Sequence, residues 1–244
     1  MKFYIIFFLA VFFISCMKSD ISKETSLRSV SILIDVTDKQ PIYPTEQNML
    51  TLLHCTKNPD ADIRFRLGAI TDRQLTSDYT VHLLSALVTE RESNEDGQHR
   101  NRCIVAFYDS VRAIYNTFFK AFDTTQKEEY SEIFRSICAQ ITWLQATGSK
   151  EQVLCAYTDL FEKSSICNAY IQAKESDIPS LLQKFNEAHL LPEHLPGLTV
   201  LFVYTSSNRI SSARYSTMFE VYKRLLTSRG GRVLIETTNQ NIEE

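Results

Sequence analysis

Apolar residues fall along this chain in two rhythms, short continuous runs and stripes at helical spacing, and the alternation of the two predicts one α/β domain. Residues 29–35, SVSILID, are apolar and β-branched and stop at an acid. A run of that kind reads as a central strand buried on both faces of a parallel sheet. Two prolines, Pro41 and Pro44, forbid an immediate helix after it, and Thr45 stands where it can cap a short helix over 46–53. Asn58-Pro59-Asp60 turns the chain, and 63–70, IRFRLGAI, alternates as a second strand. Residues 80–89 read as an edge strand, with a helix as the alternative, and 90–101 are charged and loop-like.

The middle of the chain changes period. Ile104, Phe107, Val111, Ile114, Phe118 and Phe122 form one stripe, which predicts a helix over 102–122 packed on the sheet. A second helix is predicted over 130–144, with Ile133, Ile137, Ile141 and Leu144 on one side and Trp143 on its flank. Residues 152–158, QVLCAYT, are another buried strand, followed by an acid, Asp159, and a loop over 160–165. Ser176 as cap and Pro179 in the first turn open a helix that runs to His189. A strand over 198–205, a helix over 215–228 stopped by Gly230 and Gly231, and a last strand over 232–237 complete the pattern. Strands separated by helices of crossover length predict a doubly wound, mostly parallel sheet with helices on both faces.

The N-terminus stands outside that pattern. Met1-Lys2 is followed by FYIIFFLAVFFIS, an apolar run too short for a comfortable membrane span, and then by Cys16. One early charge, a short apolar core and a cysteine after a small residue resemble a bacterial lipoprotein signal. The continuation Met17-Lys18-Ser19-Asp20 is similar to lipoproteins of the Bacteroides group. That resemblance implies cleavage before Cys16 and acylation of its thiol and new amine. It divides the chain into a signal peptide (1–15), the lipidated cysteine and a tether rich in Ser, Lys and Glu (16–27), a domain (28–239) and a polar tail (240–244). The body is then lipid-anchored in the cell envelope, on the periplasmic face or the cell surface. An uncleaved signal anchor and a secretory peptide cut elsewhere are the alternatives, and both still export the body.

Composition narrows the function. The 244 residues are 44% hydrophobic and 23% charged, which suits an ordinary globular domain and no fibrous repeat. A net charge of −3 with no dense basic run argues against a phosphate-tracking nucleic-acid surface. Setting Cys16 aside for lipid leaves Cys55, Cys103, Cys138, Cys155 and Cys167, with no CxxC pair and no zinc-like spacing to histidine. Cys138 and Cys155 fall on apolar positions and read as buried small hydrophobes, while a disulfide through Cys55 or Cys167 stays open. His189 and His194 flank a proline-containing loop and read as solvated. No GxSxG elbow, phosphate-binding loop or GxGxxG is present.

Sheets of the predicted kind take ligands beyond the carboxyl ends of their strands. Asp35 and Asp159 mark two such ends, and Ser131 opens the helix that leads to the second. Asp35, Thr37, Ser131 and Asp159 would offer a hard divalent ion, magnesium or manganese, carboxylate and hydroxyl oxygens. Ser131 as a helix cap and Thr37 as a turn residue are the plainer readings. The order ILIDVTDK, EEYSEIFRSI, VLCAYTDLFEKS resembles the von Willebrand factor type A domain across 29–238. That family's metal-ion-dependent adhesion site is written Asp-x-Ser-x-Ser, with a Thr or Ser on a second loop and an Asp after a later strand. Asp35 and Thr37 match its first and third positions, Ser131 the second loop, and Asp159 the later acid, where TDLFEKS is similar to the SDMxENS run of bacterial relatives.

The fifth position is Lys39 instead of a hydroxyl residue. A protonated lysine cannot ligate an ion, but its ammonium can stand in the ion's place. The resemblance therefore implies a protein partner in the envelope, bound through an ion whose open position takes an acidic side chain. The alternative is a metal-free scaffold or adaptor with Lys39 between the acids. A phosphate-ester hydrolase is the third reading, since Asp35-Val36-Thr37-Asp38 is close to a DxDx loop with the second acid one place late. The chain reads as a binding protein and not as an enzyme.

Overall fold

The computed structural model describes residues 27–37, 43–53, 62–71, 78–84, 98–121, 130–204 and 211–237. Cys16, Lys39 and Cys55 lie outside them. The strands are β1 (Leu27–Asp35), β2 (Asp62–Ile70), β3 (Tyr79–Leu83), β4 (Glu151–Thr158), β5 (Leu198–Tyr204) and β6 (Arg232–Thr237). They form one sheet in the order β3-β2-β1-β4-β5-β6. All neighbours are parallel except β3, which runs antiparallel to β2 at the edge. The chain winds outward from β1 to β3, then returns to place β4 on the other side of β1 and winds out again. Winding reverses between β1 and β4, so the crevice for ligands opens beyond Asp35 and Thr158.

Helices cover both faces. α1 (Glu46–Leu53) and α2 (Gln98–Ala121) lie on one, and α3 (Ile133–Ala146), α4 (Ala169–Gln172), α5 (Ile178–Glu187) and α6 (Ser212–Thr227) on the other. The predicted three-layer, doubly wound α/β fold is the observed one. Alternation along β1 explains the layering, because Val30, Ile32 and Ile34 pack toward Met49, Phe107, Val111 and Phe118 while Leu33 points to the opposite core. That opposite core is aromatic, with Phe134 stacked on Phe185 at 4.4 Å and Tyr222 5.6 Å from both Phe185 and Phe202.

A polar seam runs through the packing between β1, β2 and α3. Ser31 Oγ donates to Gln140 Oε1 at 2.9 Å, and Gln140 Nε2 donates to Asp78 Oδ1 at 3.0 Å. Arg66 closes the chain by pairing with Asp78 and lying over the Trp143 ring. Further down the same seam Ser29, Thr147 and Ser149 form a triangle of hydroxyls with edges of 2.5–3.0 Å. Buried hydroxyls and amides satisfied in this way fix the position of α3 along β1.

Several element ends differ from the sequence expectation, each for a local reason. Of the edge strand expected over 80–89, Tyr79–Leu83 is a strand, and residues 85–89 lie outside the described residues. α2 starts at Gln98, inside the stretch 90–101 read as loop, where buried Arg100 donates to Leu84 O and pins the first turn. α3 starts at Ile133 and not at 130, because Ser131 is backbone-paired to Lys163. Asp177 and not Ser176 occupies the cap position of α5, with Ser176 inside a 3-10 turn. α6 starts at Ser212, earlier than 215, since Ser211 Oγ accepts from the Arg214 amide at 3.4 Å. The four-residue α4 was not foreseen.

Other expectations hold. Thr45 caps α1 through the Asn48 amide at 3.1 Å. Cys138 and Cys155 are buried, and His189 and His194 are exposed. Cys167 is a buried free thiol, so the disulfide left open for it does not form. Among the described residues no helix is long and apolar enough to cross a membrane.

Gly68 sits where the polar seam crosses β2. A Cβ there would stand 2.5 Å from Asp78 Oδ1 and 2.6 Å from Gln140 Nε2. Gly68→Ala therefore forces the seam apart and should cost about 1–3 kcal/mol, read as a lower urea midpoint at unchanged slope.

Candidate functional site

Asp35 ends β1 at the centre of the sheet and is 1% exposed. An ionised carboxylate so placed must find donors. Asp35 Oδ1 accepts from the Thr37 amide at 3.1 Å and from Thr37 Oγ1 at 2.6 Å. Oδ2 accepts from Thr158 Oγ1, the last residue of β4, at 2.9 Å. Thr37 Oγ1 also lies 3.2 Å from Ser131 Oγ. Asp35, Thr37, Ser131 and Thr158 are all buried, and they form one continuous string of oxygens at the lip between β1 and β4.

Backbone pairing places Ser131. Its amide donates to Lys163 O at 3.0 Å, the Lys163 amide returns to Ser131 O at 3.2 Å, and the next residue, Glu132, donates to Thr71 O at the end of β2. Ser131 is thus held between the loop after β4 and the loop after β2, ahead of α3. The capping alternative for Ser131 is corrected, because the cap position of α3 belongs to Glu132. Asp159, 8% exposed, follows Thr158 directly, so the two predicted acids stand at the same end of neighbouring strands. Its Oδ1 accepts from the Phe161 amide at 2.8 Å and shapes the turn beyond β4.

Two features of that turn were not foreseen. Leu160 is fully buried at a φ of 61°, a left-handed conformation that a branched side chain rarely adopts, and its amide is held by Thr158 Oγ1 at 3.0 Å. Glu162 is 0% exposed, and its Oε2 accepts from the Phe134 amide at 2.7 Å in the first turn of α3. The carboxyl thereby caps a helix 28 residues back in sequence, where Glu132 supplies no side-chain cap. Burial pushes the Glu162 carboxyl up to about 8, against the pull of Ser164 and the Phe134 amide, with Glu132 and Asp35 adding to the rise. The visible signal was an acid inside TDLFEKS, and nothing in that heptad names a helix as its partner.

The rim is aromatic and cationic. Tyr130, Tyr170 and Ile171 are exposed. Lys163 Nζ lies over the Tyr130 ring, and the Arg214 guanidinium lies over Phe161 while donating to Ala169 O and Tyr170 O. Among the described residues no group of three or more His, Cys, Asp or Glu is placed to hold a metal ion. The oxygens gathered here mix carboxylates with hydroxyls, a donor set of the kind magnesium and manganese accept.

The raised Glu162 carboxyl makes stability depend on pH with a definite sign. From about pH 4.5 to about pH 8 the folded chain holds a proton that the unfolded chain has released, so this group's contribution, complete at low pH, is lost as pH rises. Glu162→Gln keeps an acceptor for the Phe134 amide and removes the titration. In urea melts without divalent ions it should match the parent near pH 5 and exceed it by about 2–4 kcal/mol near pH 9.

In comparisons with known proteins, no family model and no curated protein matches this chain. Among solved structures, the chain is similar to the D319A mutant of the PilB minor pilin from Streptococcus sanguinis, at 8% identity and a TM-score of 0.46. The match covers 91% of this chain and 59% of that one, so this chain spans well under two thirds of the pilin's length. A likeness at that level lends the chain neither a partner nor an activity.

Proposed function

We propose that this chain is a cell-envelope lipoprotein whose von Willebrand A-like domain binds a protein partner through a divalent ion held by Asp35, Thr37, Ser131 and Asp159. The observation that carries the reading is the buried string Asp35–Thr37–Ser131 at the lip between β1 and β4. Thr37 Oγ1 donates to Asp35 Oδ1 at 2.6 Å and lies 3.2 Å from Ser131 Oγ, so the three side chains turn their oxygens toward one another. A bound ion would neutralise the two buried acids and offer an open position to an acidic side chain of the partner. Exposed Tyr130, Tyr170 and Ile171 around the lip add the aromatic and apolar contact that protein interfaces favour. The anchor rests on the N-terminal sequence around Cys16.

A metal-free adaptor is the second reading, and one observation favours it. Asp35 already accepts from Thr37 and Thr158, so the acid is satisfied without an ion.

Calorimetric titration of manganese or magnesium into residues 20–244 separates the two. Binding heat is expected for the parent and none for Asp35→Ala. Thr158→Val, which removes the donor behind the ligating carboxylate, should weaken binding about 10–100-fold. No heat and an unmoved melting temperature in the parent would leave only the adaptor. Independently, Cys16→Ser should move the protein from the membrane to the soluble fraction on cell fractionation, and retention in the membrane would defeat the lipid assignment.

A further inference from the structure

β6 is the last strand of the sheet, and its six residues pair with β5 in unbroken register from Arg232 to Thr237. The sheet's other edge is guarded. β3 is only five residues long, Leu84 O beyond it is occupied by Arg100, and its His82 is paired with Asp62. Among the described residues β6 has no proline and no bulge, and its two charges, Arg232 and Glu236, flank the apolar centre. Its centre is apolar and exposed, with Leu234 at 38% and Ile235 at 43%.

We propose that β6 is a homodimer interface, in which two copies of this chain pair antiparallel across a two-fold axis at Leu234 and join their sheets into one. The order of side chains in RVLIE selects this occupant and this register. With the axis on Leu234, each Arg232 faces a Glu236 of the second copy, each Val233 faces an Ile235, and the two Leu234 side chains meet. Opposite charges and apolar pairs directly across an antiparallel ladder are the pairs that stabilise it. Shifting the axis by one residue sets Leu234 against Glu236 or Arg232, an apolar side chain against a charge. A self-complementary strand needs only a copy of itself, which is the condition for a closed isologous dimer. One strand per subunit is a small contact, so trapping reads it better than dilution.

The test uses the full chain in bacterial cells, with Leu234→Cys treated with a short bis-maleimide and run on a denaturing gel. A band at twice the chain's mass is expected, absent from the parent and from Val105→Cys, an exposed position on α2 away from the edge. Adding Arg232→Glu should abolish the band, and adding Glu236→Arg as well should restore it. No band with Leu234→Cys, a band indifferent to charge reversal, or a cross-link at the mass of a different protein would each overturn the proposal.

Discussion

A carboxylate with 1% exposure at the end of the central strand is the constraint on which this molecule turns. Leaving Asp35 charged and unpaired would cost several kcal/mol, so the chain must bring donors to it. Those donors come from Thr37, which folds the loop after β1 back on itself, and from Thr158 at the tip of β4. The same acid therefore fixes the first loop and ties β1 to β4 where the winding of the sheet reverses. Ser131, held by its own backbone ladder to Lys163, completes the knot from a third loop.

The reach of that knot depends on α3, and α3 is fixed at three points along its length. Its far end is held by the hydroxyls of Ser29, Thr147 and Ser149, its middle by Gln140 on Ser31, and its beginning by Glu162 on the Phe134 amide. Ile137, Ile141 and Leu144 already key the helix into the apolar core, and the polar seam adds hydrogen bonds that any shift along β1 would break. Ser131 stands just ahead of that helix, so a fixed α3 means a fixed hydroxyl at the lip. The turn from Thr158 to Glu162 carries strain of its own, in the left-handed Leu160. Strain kept beside a buried acid and a buried cap is the pattern of a site whose shape is over-determined by its surroundings.

Much of this was legible along the chain. Runs such as ILI and VLCAY declare buried strands, and stripes such as Phe107, Val111 and Phe118 declare helices, because the period of a strand or a helix is a local property. The parallel, doubly wound architecture follows once strands and helices alternate. Asp35 and Thr37 could be placed at the lip for the same reason, as the residues where a central strand stops. Helix starts were less legible. The first residue of α2, α3 or α6 is set by what the preceding turn is bonded to, such as Arg100 on Leu84 or Ser131 on Lys163, and those partners are remote or polar.

The sequence by itself determined the layers, the order of elements and the acids that close two of the strands, since each is written in the alternation of neighbouring side chains. Only the tertiary structure decided which of those groups meet. Thr37 reaches Ser131 across 94 residues and Thr158 reaches Asp35 across 123, and Glu162 became the cap of α3 although nothing beside it in the chain is a helix start. The physical reason is that hydrogen-bond partners are chosen by proximity after the sheet has assembled, when burial has removed water as the alternative.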